Sequence, residues 1–401
     1  MSELKDTRSA LMATYTPPPP VFVRGSGTEL FDEEGRRYLD FIGGLAVVSL
    51  GHSHPVVAAA VGAQASTLSH VSNLYRNALA PEVATTLDRL IGGGTTPAGG
   101  QVFFANSGAE ANECAIKLAR RWAGPGRAGI VTALGSFHGR TLATLAATGQ
   151  PEKHVPFEPI PAGFTHVPFD DLEAMEGALD AAPSAAVLLE PIQGEGGVVV
   201  PSSDYLAGVR RLCDERGVLL IADEIQTGLG RTGWWFAFQA QDLQPDIVTM
   251  AKALGNGMPA GACWARAEVA AAFGPGDHGS TFGGQPLALS AVKATLAVME
   301  AEDVCGRARR AGARLAAGLG GLPGVLDVRG AGLLLAARLS GDDAKDVATR
   351  ALEAGLLVNA IRPDAVRVAP SLLVSDAEID EALAILGRVL AEGASSREGP
   401  P

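Results

Sequence analysis

Two short apolar runs that stop abruptly at polar residues constrain this chain more than anything else in it. Val218-Leu219-Leu220-Ile221-Ala222 ends at Asp223-Glu224-Ile225-Gln226, and Asp246-Ile247-Val248-Thr249-Met250-Ala251 ends at Lys252. A short β-favouring run without polar alternation reads as a strand buried on both faces, which belongs in a parallel sheet covered by helices. Ligands of open α/β sheets sit beyond the carboxyl ends of the strands. The two runs therefore deliver a carboxylate and an amine to neighbouring strand ends. From about Gly51 to Gln285 similar runs alternate with helical stretches, the pattern of an α/β large domain (51–285) with a mostly parallel central sheet covered by helices. From Pro286 an Ala/Val/Leu helix leads through Val328–Leu333 to an amphipathic helix over Ala377–Leu390, so segments 1–50 and 286–401 are expected to make a smaller α+β domain.

A lysine at such a strand end can form a Schiff base, and a nearby Asp can keep a pyridine nitrogen protonated. Pyridoxal 5′-phosphate (PLP) needs that pairing to act as an electron sink. Taken alone, the pair reads equally as an acid closing a strand and a lysine opening a solvated helix. Three further phrases point to a ligand. In Val102–Asn112 an apolar strand turns through Ser107-Gly108-Ala109 into a helix, whose first amides and positive dipole end suit a phosphate, though a plain cap has the same look. In Gly135-Ser136-Phe137-His138-Gly139-Arg140-Thr141 an aromatic that can cover a planar ring stands beside a forked guanidinium that can hold a carboxylate. Asp277–Pro286 sets hydroxyls and glycines in a loop, suited to phosphate oxygens or to nothing more than a turn.

These phrases, with Gly51-His52-Ser53-His54-Pro55, Glu190-Pro191-Ile192-Gln193-Gly194-Glu195-Gly196-Gly197 and Ala251-Lys252-Ala253-Leu254-Gly255, closely resemble the class III aminotransferases of PLP fold type I, from about Val21 to Leu390. The resemblance implies PLP as cofactor and transamination between a small amino donor and 2-oxoglutarate. It implies that Lys252 anchors the cofactor and shuttles a proton, and that Asp223 pairs with the pyridine nitrogen. Gln226 would reach the phenolic oxygen, and Ile225 would pack under the ring opposite Phe137. Ser107, Gly108 and Ala109 would hold the phosphate. Thr281, with Ser280 near the substrate, would come from the second subunit of a homodimer with shared active sites. Arg140 would take a distal carboxylate and Arg367 an α-carboxylate, with Glu195 masking Arg367 while the ω-amino substrate binds.

Within the class, Ser72-Asn73-Leu74-Tyr75, the segment Gly355–Pro370 and the apolar Leu45 resemble the branch that takes N2-acetyl-L-ornithine in arginine biosynthesis. Ornithine, succinyldiaminopimelate, succinylornithine and 4-aminobutyrate stay open as donors. Gln285, Ser371 and Val48 depart from the common pattern. Gly228-Leu229-Gly230-Arg231-Thr232-Gly233 matches G-x-G-x-x-G, the dinucleotide fingerprint of a dehydrogenase. The match fails in context, since a polar segment precedes it and Trp234-Trp235-Phe236 follows where a helix should open. A PLP-dependent decarboxylase or racemase stays open on the Lys and Asp alone.

The net charge of −12 disfavours nucleic acid and anionic membranes as partners. Cys114, Cys213, Cys263 and Cys305 are scattered, with no C-x-x-C pair and no zinc-like spacing, so no metal is expected and the cysteines read as reduced. With no signal pattern and no bilayer-length apolar run, the expected location is the cytoplasm. Pro17–Pro20 is expected to be an extended arm, and Ser395–Pro401 a disordered tail.

Overall fold

The computed structural model describes residues 10–15, 20–341 and 343–395. Except for Pro20, the tetraproline lies outside the described residues, and so does the tail beyond Ser395, itself the last residue of the closing helix Asp376–Ser395.

Strands β1 (Phe22–Ser26), β2 (Glu29–Asp32) and β3 (Arg37–Asp40) form the N-terminal meander. The β2–β3 hairpin closes through Gly35 at φ +82°, a left-handed conformation that favours glycine. Next come β4 (Gly100–Ala105), β5 (Gly129–Ala133), β6 (Phe164–Val167), β7 (Ser184–Leu189), β8 (Leu219–Asp223), β9 (Ile247–Met250) and β10 (Gly261–Arg266). These seven make one sheet in the order β4-β10-β9-β8-β7-β5-β6. Only β10 runs antiparallel to its neighbours, β4 and β9; the other pairings are parallel. Every residue of β7, β8 and β9 is buried, which is why these strands carry mostly Ala, Val, Leu and Ile rather than alternating polarity.

The strands β11 (Val325–Ala331), β12 (Leu334–Leu339), β13 (Leu356–Leu357), β14 (Asn359–Arg362) and β15 (Ala365–Val368) complete the fold. A second sheet has the order β11-β12-β15-β14, while β13 leaves it to pair in parallel with β3. The N-terminal meander and the C-terminal third thus share a sheet. Helix Pro286–Ala301, opened by Pro at its first position, packs on helices Pro55–Ala65 and Leu79–Ile91.

Two of the departures from the family pattern are satisfied locally. The Gln285 carboxamide accepts from Val71 N at 2.9 Å and donates to Asn73 Oδ1 at 3.1 Å, and Ser371 Oγ donates to Ser49 O at 3.2 Å. The Gly228–Gly233 phrase is a turn that opens no helix. Its Arg231, 1% exposed, donates instead to Leu333 O, Pro370 O and Ser49 Oγ, tying the turn after β8 to the segments around β12 and β15. Among the described residues no helix is long and apolar enough to cross a membrane.

Candidate active site

Because β8 and β9 are parallel neighbours, Asp223 and Lys252 emerge on the same edge of the sheet. Asp223 is buried, and its carboxylate is fixed from three sides. Oδ2 accepts from Asn112 Nδ2 at 2.8 Å and from His138 Nδ1 at 2.7 Å, and Oδ1 accepts from Ile225 N at 3.1 Å. These partners are held in turn: Thr249 Oγ1 donates to Asn112 Oδ1 at 2.7 Å, and Asn112 Nδ2 also donates to the His138 carbonyl at 2.8 Å. An acid so placed keeps one orientation. Lys252 sits at φ +41°, a left-handed conformation that an L side chain adopts at a cost, as residues at functional sites often do. Burial pushes its amine below the ordinary lysine range, and Arg367 adds to this, while Glu195, Asp223 and Glu190 pull the other way.

The two groups face a cavity of about 380 Å³ that is also lined by Ser107, Gly108, Ala109, Phe137, Ile225 and Gln226. Helix Gly108–Ala123 points its N-terminus into this space, capped by Ser107 Oγ, which accepts from Glu110 N at 3.2 Å. The first amides of a helix have no partner within it, so those of Gly108 and Ala109 are open to an anion. A Cβ on Gly108 would stand 2.8 Å from Ile225 Cδ1, so only glycine lets the helix end approach so closely.

Arg367, on β15, is 2% exposed and is not among the residues lining the cavity. Its Nη1 donates to Glu195 Oε1 at 2.7 Å and to Gln226 Oε1 at 3.2 Å, and its Nη2 donates to Asn359 Oδ1 at 2.8 Å. Glu195 and Gln226, which do line the cavity, therefore stand in front of the guanidinium. Burial pushes the Glu195 carboxyl up, but the Arg367 charge outweighs it and leaves the group below its ordinary value. Gln226 Nε2 is buried and finds no acceptor among the described residues.

Arg140 is exposed at the lip, its guanidinium carbon 5.5 Å from the Phe137 ring centroid. Lys153 Nζ lies 5.6 Å from the same centroid and is hydrogen-bonded to Gln150 Oε1. Burial lowers the Lys153 pKa, and the Arg140 charge lowers it further. Glu190 binds the amides of Phe137 and Gly194 at 3.0 and 3.2 Å. Its carboxyl is raised to about 7 by burial, against the opposing charge of His138.

The structure thus brings Lys252, Asp223, Ile225, Gln226, Phe137, Ser107, Gly108, Ala109, Arg140 and Glu195 to one cavity, with Arg367 directly behind. Ser280 and Thr281 are not in it. They line an adjacent cavity of about 340 Å³, joined to the first by Asn106, whose Nδ2 donates to Ser280 Oγ at 3.2 Å. Leu45 is 41% exposed and outside the cavity, while Val47 lines it. His52 pairs with Asp40 and His278 contacts Lys117, both away from the cavity. Sequence reasoning missed the roles of Asn112, His138, Glu190, Lys153 and Asn359. Only His138, set between Phe137 and Gly139, carried a local signal.

PLP fits the residues present. The cavity offers a fixed carboxylate, an amine, open helix amides and, in Gln226 Nε2, a buried donor without an acceptor. The family model for class-III aminotransferases matches residues 11–390. An acetylornithine aminotransferase from Gloeobacter violaceus is 50% identical over 95% of this chain and 96% of its own length. One from Corynebacterium efficiens is 46% identical over 95% of both. Among solved structures, an ornithine aminotransferase from Toxoplasma gondii superposes with a TM-score of 0.92 at 34% identity, covering 98% of this chain and 94% of its own. An acetylornithine aminotransferase from Elizabethkingia anophelis gives 0.84 at 33%, covering 97% and 98%.

Proposed function

The chain belongs to the class-III aminotransferases, PLP enzymes of fold type I, and on that premise we propose that it transfers the terminal amine of N2-acetyl-L-ornithine to 2-oxoglutarate. The products are N-acetylglutamate 5-semialdehyde and glutamate, which is a step of arginine biosynthesis. What carries the assignment is the Arg367–Glu195 contact at 2.7 Å beside a cavity with Arg140 at its lip. One cavity must seat a donor with one carboxylate and an acceptor with two. A guanidinium that is covered for the first and uncovered for the second meets that demand, and Arg suits it because its fork matches a carboxylate.

PLP bound here supplies an electron sink for the bond being broken at the substrate carbon. Asp223 keeps a proton on the pyridine nitrogen, and its three hydrogen bonds fix the direction of that charge. Lys252 would anchor the cofactor and, once freed, its Nζ would carry the proton that leaves the substrate carbon. Its lowered pKa favours the neutral amine that such a base requires. Ser107 with the Gly108 and Ala109 amides would hold the phosphate, Gln226 Nε2 would reach the phenolic oxygen, and Phe137 and Ile225 would pack against the ring.

The same proposal includes a homodimer in which Thr281 and Ser280 complete the partner's cavity. Helix Pro55–Ala65 is apolar nearly all round, yet Val57 is its only buried residue, and Leu74, Tyr75 and Phe282 are 88%, 72% and 66% exposed. An apolar surface this large on one side of a chain calls for a cover. The four free cysteines suit a reducing compartment, and the cytoplasm is the location proposed.

The test is the donor half-reaction. Purified PLP-loaded enzyme is mixed with N-acetylornithine, ornithine or 4-aminobutyrate, and the cofactor absorbance is followed to the pyridoxamine form. Fast conversion by N-acetylornithine alone is expected. Preference for either other amine reassigns the donor, and no conversion by any amine overturns the proposed reaction.

A further inference from the structure

We propose that Asn359 is a positioning residue that keeps Arg367 aimed, with its charge uncompensated, when Glu195 leaves it, so that the glutamate half-reaction depends on Asn359 and the donor half-reaction does not. The inference rests on the two-substrate reading above. The β14–β15 register sets Asn359 directly opposite Arg367, and its Oδ1 accepts from Nη2 at 2.8 Å. A guanidinium that is 2% exposed cannot turn to water when its carboxylate partner withdraws. It keeps its direction only through acceptors that stay. Glu195, with 32% of its side chain exposed, is the partner free to leave. Gln226 Oε1, at 3.2 Å, belongs to a carboxamide that faces the cavity, whereas Asn359 lies outside the lining and has no ligand to serve.

The neutrality of Asn359 matters as much as its shape. The amide oxygen satisfies one edge of the fork without cancelling its charge, which leaves a full positive charge for an arriving α-carboxylate. An acid in the same place would compensate Arg367 permanently, and a substrate carboxylate would meet a pair with no net charge left to attract it. During the donor half-reaction Arg367 is already covered by Glu195, so the same change has nothing to remove.

The experiment uses the PLP-loaded Asn359→Asp enzyme, nearly isosteric with the original, with Asn359→Ala beside it. Single-turnover absorbance gives an apparent Kd and a limiting rate for glutamate and for the amino donor, and calorimetry gives a Kd for glutarate. Loss of one charge-assisted hydrogen bond, here the arriving carboxylate's to a guanidinium that is already compensated, corresponds to about tenfold to a hundredfold in affinity. Asn359→Asp is expected to weaken glutamate and glutarate by about that factor or more, with the donor Kd and both limiting rates near wild type. Asn359→Ala is expected to fall on the same side by less. An intact donor half-reaction shows that the variant is folded. Equal losses in both half-reactions, or an unchanged glutamate Kd, overturn the role of Asn359 while leaving transamination standing. A wild-type enzyme that does not react with glutamate overturns the two-substrate reading and the inference with it.

Discussion

At the floor of the cavity, Asp223 is 3% exposed and takes three hydrogen bonds between 2.7 and 3.1 Å from groups that are themselves held. At its side, Arg367 is as deeply buried but has one carboxylate partner, Glu195, which is ten times or more as exposed as Arg367 itself. The floor is over-determined and the side is under-determined. A group that must hold one charge through every step profits from redundancy. A group that must serve two substrates needs a partner that can go. Rigidity here is distributed by task around one cavity.

The sharpest way to break this contrast is at the floor. Lys252→Ala removes the anchor and the proton carrier together and should cost roughly 10⁴-fold or more in turnover in both half-reactions, measured by single-turnover absorbance. Asp223→Asn keeps the shape and removes the charge; a loss of about 10²- to 10³-fold, again equal in both halves, is expected. Arg367→Ala should cost a similar factor, about 10²-fold or more, on the glutamate side alone. Equal losses in the two halves would remove the distinction between floor and side.

Glu190 joins the two regions, because it binds the amides of Phe137 and of Gly194, which leads into the Glu195 loop. Burial holds its carboxyl near 7 against an ordinary 4.5, so the folded protein keeps a proton that the unfolded chain releases. Stability from this group is therefore greatest at low pH and is lost as the pH rises from 4.5 towards 7, by at most roughly 3 kcal/mol. Glu190→Gln should flatten that part of the pH–Tm curve, leaving a smaller slope from Glu224, which is raised to about 7 by the same cause. The smallest effect is expected at the lip. Lys153→Met should raise the KM for 2-oxoglutarate only about threefold to tenfold, with kcat unchanged, because a half-exposed cation beside Arg140 is largely screened.

What could be read from the residues follows the same division. β8 and β9, with Asp223 and Lys252 at their ends, were legible because a strand buried on both faces writes itself as a short apolar run and the chemistry sits on the next residue. The alternation of runs and helices pointed to the mostly parallel sheet, and Ser107 before Gly108 to the helix N-terminus that faces the cavity. Asn112 and His138 were not legible as partners of Asp223, because they reach it from 111 and 85 residues away. No local pattern distinguishes an Asn on a helix from one that holds a carboxylate. Asn359 was quoted as part of a family phrase, but its meaning comes from lying across a hairpin from Arg367. The arginines could be named, and the resemblance set Glu195 over Arg367, while the depth at which Arg367 is buried and its contact with Asn359 depend on side-chain packing that spacing does not encode.

The pairing of β13 with β3 has a consequence for how the protein is made. Leu39 and Leu356 are register partners, yet the second leaves the ribosome more than 300 residues after the first. Throughout synthesis the meander therefore carries an open edge strand, the kind of surface on which nascent chains associate. Its sequence suits that wait: the edge opens with Arg37, and Asp32, Glu33, Glu34 and Arg36 crowd the preceding turn. Closing so long a loop is a slow event by topology alone, and the sheet it completes ties the N-terminal meander to the C-terminal third.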